Sequence, residues 1–99
     1  MVAFEEPRDP DEFERHFWDV HIPVAKEMPG LRRYTVSRNV APVRGDAFFQ
    51  ISELDWADMG ALEQAFQSSA GRATAHDVAE LAPADGVRSV VYDVEDVAL

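Results

Sequence analysis

The chain has 99 residues, 46% of them hydrophobic, and carries 19 Asp and Glu against 9 Lys and Arg, a net charge of -10. This charge repels phosphate backbones and anionic lipid surfaces, which argues against nucleic acid and membranes as partners. No run approaches the roughly 20 apolar residues of a membrane span, the first residues lack the basic flank and apolar run of a signal peptide, and cysteine is absent. We therefore expect a single cytoplasmic domain over residues 1–99, without disulfides or thiolate chemistry.

The N-terminal third predicts a short strand followed by a capped helix. Val2–Glu6 contains β-branched and aromatic residues, which are common in strands. Asp9 then has the place of an N-cap and Glu12 that of its capping-box partner. A helix is therefore predicted over Pro10–Met28.

One polar residue lies on the apolar stripe of this helix. The face that helical spacing brings together consists of Phe13, Phe17, His21, Val24 and Met28. Imidazole titrates near neutral pH, so His21 is the first candidate for a general acid or base. The alternative is a core histidine that bonds a nearby carbonyl. Pro23 predicts a bend just after His21, which would open space beside the ring.

Three further strands and a second helical region follow. The strands are predicted over Leu31–Val40, Ala47–Leu54 and Val87–Val94, with turn-rich segments at Ala41–Asp46 and Pro83–Gly86. Asp58 is the predicted cap of the second helix, whose apolar stripe includes Phe66. Ser68 and Ser69 interrupt that helix before a shorter piece over Gly71–Leu81.

The order strand, helix, strand, strand, helix, strand predicts an α+β fold of the ferredoxin-like split βαβ type. In that fold a four-stranded antiparallel sheet carries its helices on one face. We expect Phe49, Ile51 and Val91 on the other, uncovered face, where a second copy of the chain is the simplest cover. Two such sheets face to face would form a dimeric α+β barrel.

Laid out in this way, the chain resembles the EthD family of small dimeric α+β barrel proteins. The resemblance runs nearly end to end and is most specific at His21, at MPGLRRY (Met28–Tyr34) and at SSAGRATAHD (Ser68–Asp77). It implies a homodimer with a pocket between the sheet and the helices of each subunit. Related barrels act as cofactor-free monooxygenases, cyclases, dehydratases or isomerases, and the resemblance does not choose among them.

Several other side chains are candidates for the pocket. Tyr34 follows the Pro-Gly turn, and its hydroxyl would bond a substrate carbonyl or form part of the wall. Gln50 and Trp56 would orient an aromatic ligand, with Phe17 and Phe66 as apolar contacts; the alternatives are a solvent-facing amide and plain core. Asp77 matches the family's acidic position, where it would hold a loop, cap a helix or orient His21.

The remaining histidines do not predict a metal site. His16 precedes His21 by five residues, whereas two ligands on one helix need a spacing of three or four. His76 and Asp77 are adjacent, so on a helix they point about 100° apart and only one of them can face a pocket. The chain has no glycine-rich phosphate loop and no nucleophile elbow, and we expect neither a metal nor a cofactor.

Two functions remain open on the sequence. In the first, His21 moves a proton on a small apolar substrate, aromatic or polyketide-like, while Tyr34 stabilises developing oxyanion charge. In the second, the same pocket belongs to a non-catalytic small-molecule binding protein of a catabolic or biosynthetic pathway; its variant, an accessory homodimer, works through its dimer surface and needs no cavity. The first needs His21 in a lined cavity, whereas the second tolerates its replacement.

Overall fold

A computed structural model describes all of residues 1–99, and its centre is a four-stranded antiparallel sheet. In chain order the strands are β1 (Val2–Phe4), β2 (Arg33–Val36), β3 (Gln50–Asp55) and β4 (Val87–Ser89). They lie in the order β2-β3-β1-β4, and each neighbouring pair is antiparallel. This order confirms the ferredoxin-like α+β fold.

Helices occupy the two long connections. The first contains α1 (Pro10–His16), a π-helical segment (Phe17–His21) and α2 (Ile22–Ala25), which follow one another without a break. The second contains α3 (Met59–Gln67) and α4 (Ser69–Leu81), and a 3₁₀ turn (Ala84–Gly86) leads into β4. None of these helices has the length and apolar character that crossing a bilayer requires.

The helices begin directly after N-cap residues, two of which the sequence predicts. A carboxylate oxygen of Asp9 accepts the backbone N–H three residues on at 3.1 Å, and one of Asp58 does the same at 2.8 Å. The hydroxyl of Ser68 accepts the N–H of Gly71 at 3.1 Å. Because Ser68 is thus the N-cap, α4 starts at Ser69, two residues earlier than the sequence predicts.

The first helix departs from α geometry before Pro23 rather than bending after His21. Its π-helical segment ends where the Ile22 N–H donates to the Phe17 carbonyl, five residues back. Proline has no N–H for the carbonyl four residues before it, which here belongs to Asp19, and its ring crowds that carbonyl. The turn ahead of Pro23 can therefore widen without losing a hydrogen bond, which accounts for the π segment at this point.

The register of the central strands decides which side chains face the helices. Phe4 lies opposite Gln50, and Ala3 opposite Ile51. Directly opposed residues share a face of an antiparallel sheet, and Phe4 packs against the helices, so Gln50 faces them too. Ala3 and Ile51 lie on the other face, as the sequence predicts for Ile51.

All strands are shorter than predicted. β4 pairs only with β1, over three residues, and Met1 and Val90 exchange two backbone hydrogen bonds just beyond them. Val91, expected within a longer β4 on the uncovered face, therefore lies in an exposed segment beyond the sheet. Asn39 has a left-handed backbone (φ 55°), which prevents β2 from continuing to Val40.

Aromatic side chains form the core between sheet and helices. Phe4, Phe13, Phe17 and Leu81 make up its larger cluster. The prediction that Phe49 lies on the uncovered sheet face is wrong: its ring meets that of Phe13 edge-on, with the centroids 5.5 Å apart. Phe49 precedes the first residue of β3, so the alternation of the strand does not fix its direction.

Candidate active site

A cavity of about 860 Å³ lies between the helix-facing side of the sheet, α3, α4 and the segment that follows β4. Most of its wall is apolar. The side chains that the sequence singles out and that line it are Phe17, His21, Tyr34, Trp56 and Phe66. A cavity of this size accommodates a small organic molecule.

His21 is buried in the wall of this cavity, with 5% of its surface exposed. Its ring stacks on that of Phe17 at a centroid distance of 5.4 Å. Its Nδ1 lies 2.8 Å from Oδ2 of Asp77. A carboxylate only accepts, so Nδ1–H is the donor and Nε2 is the nitrogen left for the cavity.

Asp77 lies behind His21, on α4, and is not part of the cavity wall. A carboxylate on the far nitrogen fixes the ring orientation and tautomer of a histidine base. Of the alternatives for Asp77 that the sequence leaves open, the geometry is that of orienting His21. The adjacent His76 is exposed and faces away, as their spacing on a helix predicts.

A second histidine reaches the same carboxylate, which the sequence did not predict. Nε2 of His16 lies 2.9 Å from Oδ1 and 3.1 Å from Oδ2 of Asp77. Five residues of α-helix would turn His16 and His21 about 140° apart. The π segment, which bonds each carbonyl to the fifth residue on, brings them to one side of the helix.

Tyr34 lies on β2 and lines the same cavity. Burial raises the pKa of its hydroxyl from 10.0 to about 12. The group is protonated at physiological pH, as an ordinary tyrosine is, and can donate a hydrogen bond into the cavity.

The raised pKa of Tyr34 predicts an alkaline loss of stability. The folded chain holds this proton more tightly than the unfolded chain, so the contribution is complete below pH 10 and is lost as the pH rises toward 12. Two pKa units correspond to at most about 2.7 kcal/mol, and residual solvent contact reduces that figure. We expect Tyr34→Phe to flatten the fall of the unfolding free energy over this range in urea titrations. An unchanged alkaline slope would contradict this assignment.

Trp56 and Phe66 form an aromatic corner of the cavity. Their ring centroids are 5.6 Å apart, and the Trp56 indole N–H donates to the carbonyl of Pro29 at 3.1 Å. That bond connects the Pro-Gly turn after the first helical region to the cavity wall. Both side chains thus lie where an aromatic ligand would contact them.

Gln50 does not line this cavity. Its side chain is 2% exposed, its Oε1 accepts the hydroxyl of Ser52 at 3.1 Å, and its Nε2 is buried without a partner. It borders a separate, smaller cleft beside Trp18 and Arg38. Gln50 lies on the helix-facing side of β3, but the cavity begins further along the strand.

The charged residues around the main cavity are of one sign. No Lys or Arg is among the residues that line it, whereas five acidic residues are: Glu53, Asp55, Asp58, Glu63 and Asp93. Anionic ligands would meet repulsion with no Lys or Arg to offset it. The wall therefore disfavours anionic molecules.

Comparison with known proteins agrees with this architecture. A protein of Rhodococcus erythropolis described as an uncharacterized 11.0 kDa protein in the thcB-thcC intergenic region is 26% identical over 97 residues, which are 97% of this chain and 93% of that protein. The crystal structure of an ethyl tert-butyl ether D (EthD) family protein from Bacillus halodurans C-125 superposes with a TM-score of 0.85 at 25% identity, covering 95% of this chain and 94% of that one. The model of the EthD domain matches residues 5–85. The chain therefore belongs to the EthD family.

Proposed function

We propose that this EthD protein is a cofactor-independent enzyme that moves a proton on a small, uncharged substrate in the cavity between sheet and helices. The observation that carries the proposal is the pair His21 and Asp77. The carboxylate holds Nδ1 at 2.8 Å, and the ring forms part of an apolar cavity wall. A buried histidine oriented in this way has the arrangement of a general base.

The substrate class follows from the wall. Trp56 and Phe66 present ring surface to a ligand, and the lack of Lys and Arg disfavours carboxylates and phosphates. An aromatic or polyketide-like carbonyl compound fits both properties. The family name of the structural relative refers to ethyl tert-butyl ether, which is also small and uncharged.

The chemistry we infer is proton abstraction next to a carbonyl group. Nε2 of His21 takes a proton from carbon, and the electron pair of the broken C–H bond moves onto the carbonyl oxygen, giving an enolate. The Tyr34 hydroxyl, which is protonated at neutral pH, donates to that oxygen. His21 then returns the proton. Reactions of the isomerase, cyclase, dehydratase and monooxygenase types can each begin with this step.

Deuterium exchange tests this step without knowledge of the final product. The protein is incubated in D₂O with a panel of uncharged aryl ketones and β-diketones, and deuterium incorporation is followed by NMR. We expect exchange above the background rate on at least one compound. His21→Gln should reduce it by about two to four orders of magnitude, as for loss of a general base.

His76→Gln is the matched control, because it is the same change at an exposed residue one position from Asp77 on α4. It should leave the exchange rate unchanged. Compounds that bind to wild type and to His21→Gln with equal affinity, yet never exchange, would contradict an enzyme and favour the non-catalytic binding protein.

We also propose that the protein acts as a homodimer. The helices cover one face of the sheet, and Ile51 lies on the other, while Val91 and Val94 are exposed beyond β4. Ile51→Asp places a charge on the uncovered face, where burial against a second sheet would cost several kcal/mol. We expect wild type to sediment as a dimer at micromolar concentration and Ile51→Asp as a folded monomer. A monomeric wild type would refute the barrel.

A further inference from the structure

Two imidazoles share the carboxylate of Asp77, although the proposed chemistry needs only one. His21 Nδ1 lies 2.8 Å from Oδ2, and His16 Nε2 lies within 3.1 Å of both oxygens. The His16 side chain is 27% exposed, against 6% for His21 and 14% for Asp77. The carboxylate is thus held between a buried ring on the cavity side and a ring that reaches solvent.

The backbone is arranged to make this contact. π-Helical turns are rare, well under 1% of residues in globular proteins, and they occur frequently at functional sites. Here the π segment begins directly after His16 and ends at His21. Regular α-helix would direct the two rings about 140° apart, and Asp77 could then meet only one of them.

A second donor on Asp77 has a chemical consequence for His21. A carboxylate with one partner can rotate, and a neutral imidazole has two tautomers. Because His16 spans both oxygens, it fixes the plane of the carboxylate with Oδ2 directed at Nδ1 of His21. An oxygen held there accepts a hydrogen bond from Nδ1–H, so Nε2 keeps its lone pair on the cavity side.

We propose that His16 is a positioning residue: placed on Asp77 by the π-helical turn, it locks the carboxylate and thereby keeps His21 in the Nδ1–H tautomer. The functional reason for fixing this tautomer rests on the proposed function, since a base needs an unprotonated Nε2. The tautomer itself is a property of the ligand-free protein and is measured without any substrate.

Imidazole ¹⁵N–¹H correlation spectra of the whole protein test the proposal at about pH 8.5, about two units above the ordinary histidine range. Wild-type His21 should show a protonated Nδ1 and an unprotonated Nε2. His16→Leu removes the donor at similar volume, and we expect the ratio of Nδ1–H to Nε2–H in His21 to fall about fivefold, as for one weakened hydrogen bond. His16→Gln, whose amide can still donate to Asp77, should restore most of the ratio.

His76→Leu is the control for removal of a neighbouring imidazole and should not change the His21 signals. A folded His16→Leu protein with the wild-type tautomer would overturn the proposal and reduce His16 to a link between α1 and α4. A wild-type His21 protonated on Nε2 would overturn it as well. If His16→Leu does not fold, His16→Ala provides the same readout. Absence of deuterium exchange alongside the expected tautomers would refute the proposed enzyme while leaving the positioning role intact.

Discussion

Gly71→Ala is expected to destabilise the fold by about 3 kcal/mol or more, at or above the upper end of what overpacking costs. A Cβ at this position would overlap the Ala65 carbonyl oxygen and lie 2.5 Å from Cα of Phe66. Both are backbone atoms of α3, so no side-chain rotation relieves the contact, and α3 and α4 would have to separate. Urea unfolding monitored by tryptophan fluorescence measures the loss.

Gly60→Ala is the matched control. It is the same substitution near the start of α3, where the nearest atom to an added Cβ is a carboxylate oxygen of Asp58 at 3.5 Å, an ordinary contact. Alanine has the higher helix propensity, so this variant should be neutral or up to about 1 kcal/mol more stable. Equal stability of the two variants would show that α3 and α4 do not approach as closely as the structure places them.

The architecture could be predicted because the sequence patterns that indicate it are local. Asp9 and Asp58 are oxygen acceptors directly ahead of helices, and Ser68 breaks the second helical region at the position where the structure divides it. The order of elements then leaves few topologies to choose from. His21 faces inward because an apolar stripe must be buried, and this needs no knowledge of what it packs against.

The centre of the candidate site could be predicted only in part. His21, Tyr34 and the aromatic residues of the wall follow from periodicity and from the family resemblance, whereas the role of His16 depends on the π segment. That segment changes the angular spacing of side chains, and every argument from helical periodicity assumes the regular spacing. Pro23 was the available signal, since a missing N–H permits a wider turn as well as a bend.

The predicted places of Gln50 and Phe49 differ from the observed ones for another reason. Alternation assigns the faces of a strand but does not indicate where the strand begins or where along it a cavity opens. β3 begins at Gln50, so the alternation of the strand does not assign Phe49 to a face. The cavity begins at Ser52, two residues further on, so the Gln50 amide is buried outside it. Both depend on tertiary packing, which short-range patterns do not contain.

Phe17→Ala is expected to lower the unfolding free energy by about 3 to 5 kcal/mol, the usual cost of removing a fully buried phenylalanine. The ring is completely buried and contacts those of Phe4 and Phe13. It also forms the surface on which His21 stacks at 5.4 Å. The variant should therefore lose stability and also free the imidazole to reorient, which urea unfolding and the His21 imidazole signals would report separately.

Phe4→Ala separates these two effects. Phe4 belongs to the same cluster and is 1% exposed, but its aromatic ring contacts are with Phe13 and Phe17 rather than with His21. We expect a similar loss of stability, about 3 to 5 kcal/mol, with the His21 signals of wild type. Because domains of this kind are stable by only about 5 to 15 kcal/mol, both variants are compared at low temperature, where they remain folded. His21 signals altered equally in both would mean that the core as a whole, rather than the face of Phe17, holds the histidine against Asp77.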